Sequence, residues 1–502
     1  MRSLLAKGPK YRLPPNLNSN FIDRVVSNLD LFTYRLRWHE TVFDRKKINN
    51  FQIPFPRNTV NMPPHMSEEK EVDLALLKKE IKEVTMNEAK RLKKCAHFRQ
   101  DQDSLRETRT FAKNNELTVI QSDKTNRMVV TKQKYFDERI FAILKDENTY
   151  KPLPCSKQKN IENQANKLLR SVLKDKHFLT KKDTERFITS GSEPASFQAF
   201  IKDHKDSVDN FPLRPIASVN NTATEKVDWL ISKILGQLVQ HVPANVKNTE
   251  ALIDELKLIK TEQFDPDFIF VSLDVVALYP SIPLDYGITA VIEFAAEHWE
   301  RIDTFGLSIE ELKKCLIFIC YNYEIRYKDE VYLQRKGCPM GAHFAPPFAI
   351  LTMHKVEIEA LIKLENKLHI VPDIYKRYLD DVILGPLRHD APLEDILRVF
   401  NSINPSIQFS LEAPKRGEPL QFLDISIFIG EKCLDYGWFS KKSHSDNTLR
   451  KDSWVSNSIK TNFVNNIKNH VNKRCSNEEL QKSASNGIND RLLKMVLNGT
   501  TF

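Results

Sequence analysis

At 502 residues, with 41% hydrophobic and 28% charged side chains, the chain is long enough for about three domains and has ordinary globular composition. Only 13 glycines and 25 prolines argue against a long low-complexity region, and no apolar run approaches the roughly 20 residues of a bilayer-spanning helix. The formal charge of +9 is concentrated: residues 151–215 hold thirteen Lys/Arg against eight Asp/Glu, and residues 431–502 twelve against seven, which points to a polyanionic partner.

The first 66 residues are interrupted by proline and end in an extended "FQIPFPRNTVNMPPHM". Ser67 followed by Glu68 to Glu71 opens a helix in which Leu74, Leu76, Leu77, Ile81 and Val84 recur at helical spacing. "ELTVIQSDKTNRMVVTKQKYF" reads as two strands, 117–120 and 128–130, around a polar turn with Asp123 and Asn126. "NIENQANKLLRSVLKDKHFLT" is a second amphipathic helix. "DFIFVSLDVVALYPSIP" is an almost unbroken β-prone run, as expected of a strand buried on both faces, and it carries Asp274. A helix follows, then a hairpin-like "YEIRYKDEVYLQRKGCPMGAHF". A long helix then begins near Pro346-Pro347, where proline's missing N–H would be unpaired in any case. It runs to about Leu364, with Phe348, Leu351, Val356, Ile358 and Leu361 expected to face inward. "IYKRYLDDVILG" sets Asp380 and Asp381 between two apolar runs, without the Asn-Gly or Asp-Gly pair that usually closes a hairpin. "SIQFSLEAP" and "LQFLDISIFI" are further strand candidates, so the succession is α+β with helices packed on one side of a sheet. In "KTNFVNNIKNHVNKRC", Phe463, Val464, Ile467 and Val471 make one helical stripe, with Lys460, Lys468, Lys473 and Arg474 elsewhere. The seven cysteines include no Cys-x-x-Cys pair, and Cys315 and Cys320 read as buried thiols of one helix, which fits a reducing, intracellular compartment.

An ionised carboxylate on a buried strand needs compensation, and Asp274 has no cation near it in sequence. A metal ion supplies it, and hard oxygen ligands suit Mg²⁺. If the strand of Asp274 lies beside the hairpin of Asp380 and Asp381, three carboxylates converge. Such a set can hold two Mg²⁺ about 3.5–4 Å apart, as phosphoryl transfer uses, with Mn²⁺ as a substitute. Taken singly, each aspartate reads as a turn former or a solvated group; the set carries the expectation.

The set resembles the polymerase motifs of reverse transcriptases, in order over about 110 residues. "VSLDVVALYPSIP" resembles the first palm motif, which implies a metal ligand at Asp274 and, at Tyr279, the bulky residue that blocks a ribose 2′-OH. "QRKGCPMGAHFAPPFA" resembles the motif lining the incoming nucleotide and template base, through Gln334, Gly337, Pro339, Met340 and Gly341. "YLDD" supplies the other two carboxylates. Upstream, "FQAFIKDHKDSVDNFPLRPIASVNNTATEKV" resembles the fingers segment, which implies that Lys202, Lys205 and Arg214 face the triphosphate.

Within reverse transcriptases, "LDVVALYPSIP", "SDKTNRMVVTKQKYFDERIFAILKDENTYKPL", "FLDISI" and "WFSKKSHSDNTL" resemble the Penelope-like retroelement family, from about residue 100 to about 480. The resemblance implies a right-hand polymerase with an antiparallel palm sheet and a largely helical N-terminal extension. It divides into extension 1–100, fingers 101–260, palm 261–430 and a thumb-like helical basic region 431–502. It implies an RNA template, a DNA primer, dNTPs, two Mg²⁺, no membrane and a nuclear location. No GIY-YIG nuclease segment follows the thumb, so a polymerase without its own endonuclease is expected. Thr125 and Ala345 depart from the family's usual Gly and Ser, which leaves a decayed or domesticated nucleic-acid-binding relic as the alternative. An RNA-dependent RNA polymerase, usually with Gly-Asp-Asp at the hairpin and a small polar group at the position of Tyr279, fits less well.

Overall fold

The computed structural model describes residues 68–94, 96–125, 127–174, 187–202, 212–264, 267–440 and 455–497, with isolated residues 28 and 185. The expected linker before Ser67, Asn126 of the first turn, Lys205 and the segment 441–454 lie outside the described residues.

The described chain begins with α1 (Glu68–Lys94) and α2 (Ala96–Asn114), then the hairpin β1 (Leu117–Gln121) and β2 (Met128–Lys132). Of the apolar stripe expected on α1, Leu74 is buried, Ile81 is half-buried, and Leu76, Leu77 and Val84 are exposed. Next come α3 (Gln133–Leu144), β3 (Tyr150–Leu153), α4 (Gln158–Leu173), β4 (Ala195–Ile201), β5 (Leu213–Ala217), α5 (Glu225–Leu238) and α6 (Thr249–Leu256). The central stretch runs β6 (Phe268–Val275), one helical turn Leu278–Ser281, α7 (Leu284–His298), α8 (Ile309–Tyr321), β7 (Glu324–Tyr327), β8 (Glu330–Gln334) and α9 (Ala345–Leu368). It continues with β9 (Ile374–Tyr378), β10 (Asp381–Arg388), α10 (Leu393–Asn401), β11 (Phe409–Glu412), β12 (Leu420–Phe422), β13 (Ile425–Ile429) and β14 (Leu434–Trp438). The last described helices are α11 (Asn457–Asn472) and α12 (Glu478–Leu497). No helix among the described residues is long and apolar enough to cross a membrane.

The class is α+β, as expected. Among the described residues four sheets form: β1-β2, β11-β6-β10-β9, β12-β13-β14 and β3-β8-β7-β4-β5. All their pairings are antiparallel except β4 with β7. "LQFLDISIFI" is thus a tight hairpin, β12 and β13, rather than one strand. The five-stranded sheet joins β3, β4 and β5 to β7 and β8, and the three-stranded sheet crosses residue 430, so pairing runs through both of the expected boundaries, 260/261 and 430/431.

β6 lies inside the four-stranded sheet, and its side chains alternate between two cores. Ile269, Val271, Leu273 and Val275 join the larger core with α7, α9 and α10, through Val291, Phe348 and Phe400. Phe268 and Phe270 join a second core made with Leu252, Ile253 and Leu256 of α6 and the three-stranded sheet. Each large apolar side chain fully buried in this way contributes about 1.5–3 kcal/mol. The unbroken apolar run is therefore the signature of a strand covered on both faces.

Helix starts follow local chemistry where it is present. Ser308 and Glu311 form a capping box on α8, and Asn248 caps α6 by accepting from the Ala251 N–H at 2.9 Å. α9 has prolines in its first turn and no cap from its own chain neighbours; Asp228 of α5 accepts the N–H groups of His343 at 2.9 Å and Phe344 at 2.8 Å instead. Phe348, Leu351 and Val356 face inward, as expected. Leu361 is half-buried, whereas Ile358 lies 45% exposed.

Candidate functional site

The site lies where β6 and the β9–β10 hairpin end together. Asp381, the first residue of β10, pairs in register with Asp274 of β6. Across the same line, Ser410 of β11 pairs with Asp274, and Tyr378 of β9 with Asp381. Residues directly opposite in an antiparallel ladder share a face, so Ser410, Asp274, Asp381 and Tyr378 form one row. By alternation this is the face of Phe268, Phe270 and Ile383, covered by α6 and the small sheet farther back. The cover ends before the row: Asp274 and Asp380 are exposed and Asp381 is half-buried. The expectation that Asp274 is a buried charge is thus corrected. It stands at the open end of a buried strand, where its carboxylate keeps contact with water and a metal is not required to offset burial.

Asp380 belongs to the two-residue turn Leu379–Asp380, and its carbonyl accepts the Val275 N–H at 3.1 Å, tying the turn to β6. Leu379 adopts φ +55°, the left-handed conformation that Asn-Gly or Asp-Gly turns supply without strain. In a leucine it costs about 1–3 kcal/mol and persists only where surrounding contacts impose it.

Those contacts come from behind the sheet. Arg377 of β9, paired with Val382, points to the opposite face and is fully buried. Its guanidinium donates to the Leu379 carbonyl at 3.2 Å, the Ile350 carbonyl of α9 at 3.0 Å, and the carboxylate of Glu357, itself 2% exposed. Burial pushes the Glu357 carboxyl up and Arg377 opposes that shift. His354, on the same helix, is held down to about 4 by burial and by Arg377 and His298, so it is neutral near pH 7.

Tyr279 sits in the turn after β6, half-buried, close enough to Asp380 and Arg214 for both charges to act on it; burial, then Asp380, raises its phenol to about 12. The loop 334–341 packs against this turn. Gln334 donates its amide to the carbonyls of Lys336 and Gly337, closing the loop on itself. Gly337, φ +72°, has no room for a side chain: a Cβ would lie 2.5 Å from Pro280 Cα, and the next residue, Cys338, donates its N–H to the Tyr279 carbonyl at 2.8 Å. Pro339 is buried and Met340 half-buried; the Met340 carbonyl accepts the Ala217 N–H at 2.8 Å. Gly341, φ +127°, lies so close to Ala217 that a Cβ would stand 2.2 Å from its carbonyl oxygen. β5 is thereby joined to the loop, and Arg214 of β5 is brought toward Tyr279.

Arg214 is ion-paired with Asp123 at 3.1 Å. Asp123 belongs to the "SDKTNR" turn, and its N–H donates to the Ile201 carbonyl at 2.8 Å. Lys202 follows β4 and donates its own N–H to the Pro212 carbonyl, while Lys205 lies outside the described residues.

The structure therefore brings Asp274 and Asp381 together, with Asp380 beside Tyr279, and Tyr279 within reach of Arg214. Among the described residues no three His, Cys, Asp or Glu side chains close into a metal cage. The all-oxygen pair still fits Mg²⁺ chemically, since Mg²⁺ commonly takes one or two carboxylates and completes its shell with water and substrate phosphate. Sequence reasoning missed Asp228, Arg377 and Glu357. Arg377 carried one signal, a cation inside a β-prone run. Asp228 and Glu357 carried none, because their partners are distant in sequence.

Arg474 is also corrected. Expected away from the apolar stripe in a thumb-like basic region, it is 4% exposed and donates to Asp424 at 2.6 Å and Glu250 at 2.8 Å, tying the α11–α12 junction to the β12–β13 turn and α6. Val471 of the expected stripe is buried, and Phe463, Val464 and Ile467 are half-buried.

No protein-family model matches the chain, and no curated protein matches it either. Among solved structures, the telomerase of Candida albicans in complex with a TWJ fragment of telomeric RNA is similar at 10% identity and a TM-score of 0.44, over 81% of this chain and 62% of that one. Truncated apo telomerase from Candida tropicalis gives 9% and 0.43 over 63% of each chain. The RNA-dependent RNA polymerase of a human picobirnavirus, in an insertion-loop deletion mutant, gives 14% and 0.45 over 86% of this chain and 85% of that one. The chain thus spans less than two thirds of these telomerase chains.

Proposed function

We propose that the chain is an RNA-directed DNA polymerase, a reverse transcriptase of Penelope-like type that extends a primer 3′-OH with dNTPs on an RNA template. The observation that supports it is the register pairing Asp274 with Asp381 at the open end of the sheet, with Asp380 next in the turn. In this reading residues 101–260 act mainly as fingers, 261–430 as palm and 431–502 as thumb, after the extension 1–100.

Asp274 and Asp381, with Asp380, would hold Mg²⁺, which when bound supplies activation of the attacking oxygen and charge stabilisation of the leaving one. The chain's own groups do the rest. Tyr279, rigidly backed by Gly337 and Cys338, presents a ring that excludes a 2′-OH. Arg214, oriented by Asp123, and Lys202 and Lys205 neutralise the triphosphate as charge builds on the departing pyrophosphate. Gln334, Gly337, Pro339, Met340 and Gly341 hold the loop that lines the nucleotide and template base. The primer 3′-OH attacks the α-phosphate in line, and pyrophosphate leaves.

Template-primed dNTP incorporation with Mg²⁺ tests the proposal. Asp381→Asn is expected to abolish extension while nucleic-acid binding survives; full activity in that variant overturns the assignment. Preferential use of ribonucleotides would instead favour an RNA-synthesising enzyme, and binding without incorporation a non-catalytic relic.

A further inference from the structure

We infer that Arg377 is a positioning residue that sets the geometry of the acidic turn from the far side of the sheet, with Glu357 as its anchor. Three observations converge on it. The turn before Asp381 contains a leucine at φ +55°, a conformation its own sequence does not favour. The carbonyl of that leucine accepts a hydrogen bond from Arg377, whose guanidinium is fully buried. The same guanidinium is fixed to α9 by the Ile350 carbonyl and by Glu357, so it cannot follow the turn if the turn moves.

The backbone of Arg377 is held as well. Its N–H donates to the Ala244 carbonyl at 2.7 Å, and its carbonyl accepts the Val246 N–H at 2.8 Å. The turn is consequently pinned at two successive carbonyls: Leu379 by Arg377 from below, and Asp380 by Val275 from β6. A planar fork is required, because one group must reach two carbonyls and a carboxylate together. A lysine ammonium matches the charge and lacks that fixed geometry.

A purely structural ion pair would behave differently from a clamp on the turn. Replacing both partners by apolar residues, Arg377→Met with Glu357→Leu, leaves no unpaired buried charge and is compatible with a folded protein. That variant retains the packing and loses the tether on Leu379. Arg377→Lys keeps the charge beside Glu357 and also loses the fork.

The experiment has three readouts on the full chain. Hydrogen exchange at the 379–382 amides is expected to quicken at least tenfold in both variants, while exchange in the α7 and α9 interior stays native. Mn²⁺ binding, followed by electron paramagnetic resonance, is expected to weaken about tenfold, with Asp381→Asn as the control in which loss of a carboxylate is expected to weaken it too. Primer extension, which rests on the polymerase reading, is expected to lose kcat at least tenfold with KM for dNTP little changed. Native exchange at the turn in a folded Arg377→Met/Glu357→Leu protein overturns the inference. If the wild type extends no primer, the polymerase reading fails alone, and exchange at the turn still decides the role of Arg377.

Discussion

Asp228→Asn is the substitution whose effect the structure specifies most fully. The carboxyl of Asp228 is 1% exposed, and burial pushes it up to about 7 from 3.8, against the two backbone N–H bonds from His343 and Phe344, which lower it. A carboxyl whose folded value is raised contributes stability that is fully present below about pH 4. That contribution is lost as the pH rises through about 7. At about 1.4 kcal/mol per pH unit, the loss is roughly 4 kcal/mol between pH 4 and pH 8. Asparagine does not titrate, yet turns an NH₂ toward one of the two backbone donors, which costs about 1–3 kcal/mol. The variant should therefore be the less stable protein near pH 4 and the more stable one at pH 8. Urea midpoints of both proteins across that range measure the crossing, and exchange of the His343 and Phe344 amides localises it. Parallel stability curves, or a variant that loses ground as the pH rises, would refute the argument and show that the N–H bonds outweigh desolvation.

The remaining expectations concern the loop, the sugar contact and the C-terminal helices. Gly341→Ala places a Cβ against the Ala217 carbonyl and should cost about 1–3 kcal/mol locally, read as faster exchange of the Ala217 amide; unchanged exchange would contradict it. Tyr279→Ala should relax exclusion of ribonucleotides, measured as the ratio of rNTP to dNTP incorporation, and an unaltered ratio removes the role given to the ring. Arg474→Met leaves the Asp424 and Glu250 carboxylates without their shared cation. Limited proteolysis should then cut between α11 and α12 faster. Glu250, held at about 2 by Arg474, should return toward 4.5 when titrated by NMR. In the wild type that pairing stabilises the fold above about pH 4.5 and is lost as the pH falls toward 2.

What was legible in the sequence follows from where each constraint resides. The run "FIFVSLDV" could be read as a doubly covered strand because both of its faces meet apolar partners, so no polar alternation interrupts it. The α9 start was legible from its prolines and the thiols of α8 from their apolar neighbours. The charges were harder. Asp274 was expected to be buried because its strand is, but the cover on its face of β6 ends before it, while Val275 on the other face stays buried. Arg474 looked like a solvent cation because the segment around it is polar, and the distant Asp424 and Glu250 make a buried arginine tolerable there. Asp228 meets its partners 115 and 116 residues away, and Arg377 meets Glu357 across a helix and a strand. A residue's own neighbourhood shows its periodicity; its electrostatic partner is a property of the folded contact.

The two cores that alternate along β6 make the position of the first carboxylate discrete. Inserting one residue at the start of β6 would exchange its side chains between the α7–α9 side and the α6 side, putting phenylalanines where Ile269 and Val271 now fit. A shift of two residues restores the faces but displaces Asp274 from Asp381 by about 7 Å, several times the 2.0–2.1 Å of a Mg²⁺–oxygen bond. The β10 bulge between Leu384 and Leu387 lies away from this end of the ladder, so the regular pairing from Val271 to Asp274 fixes where the first carboxylate meets Asp381.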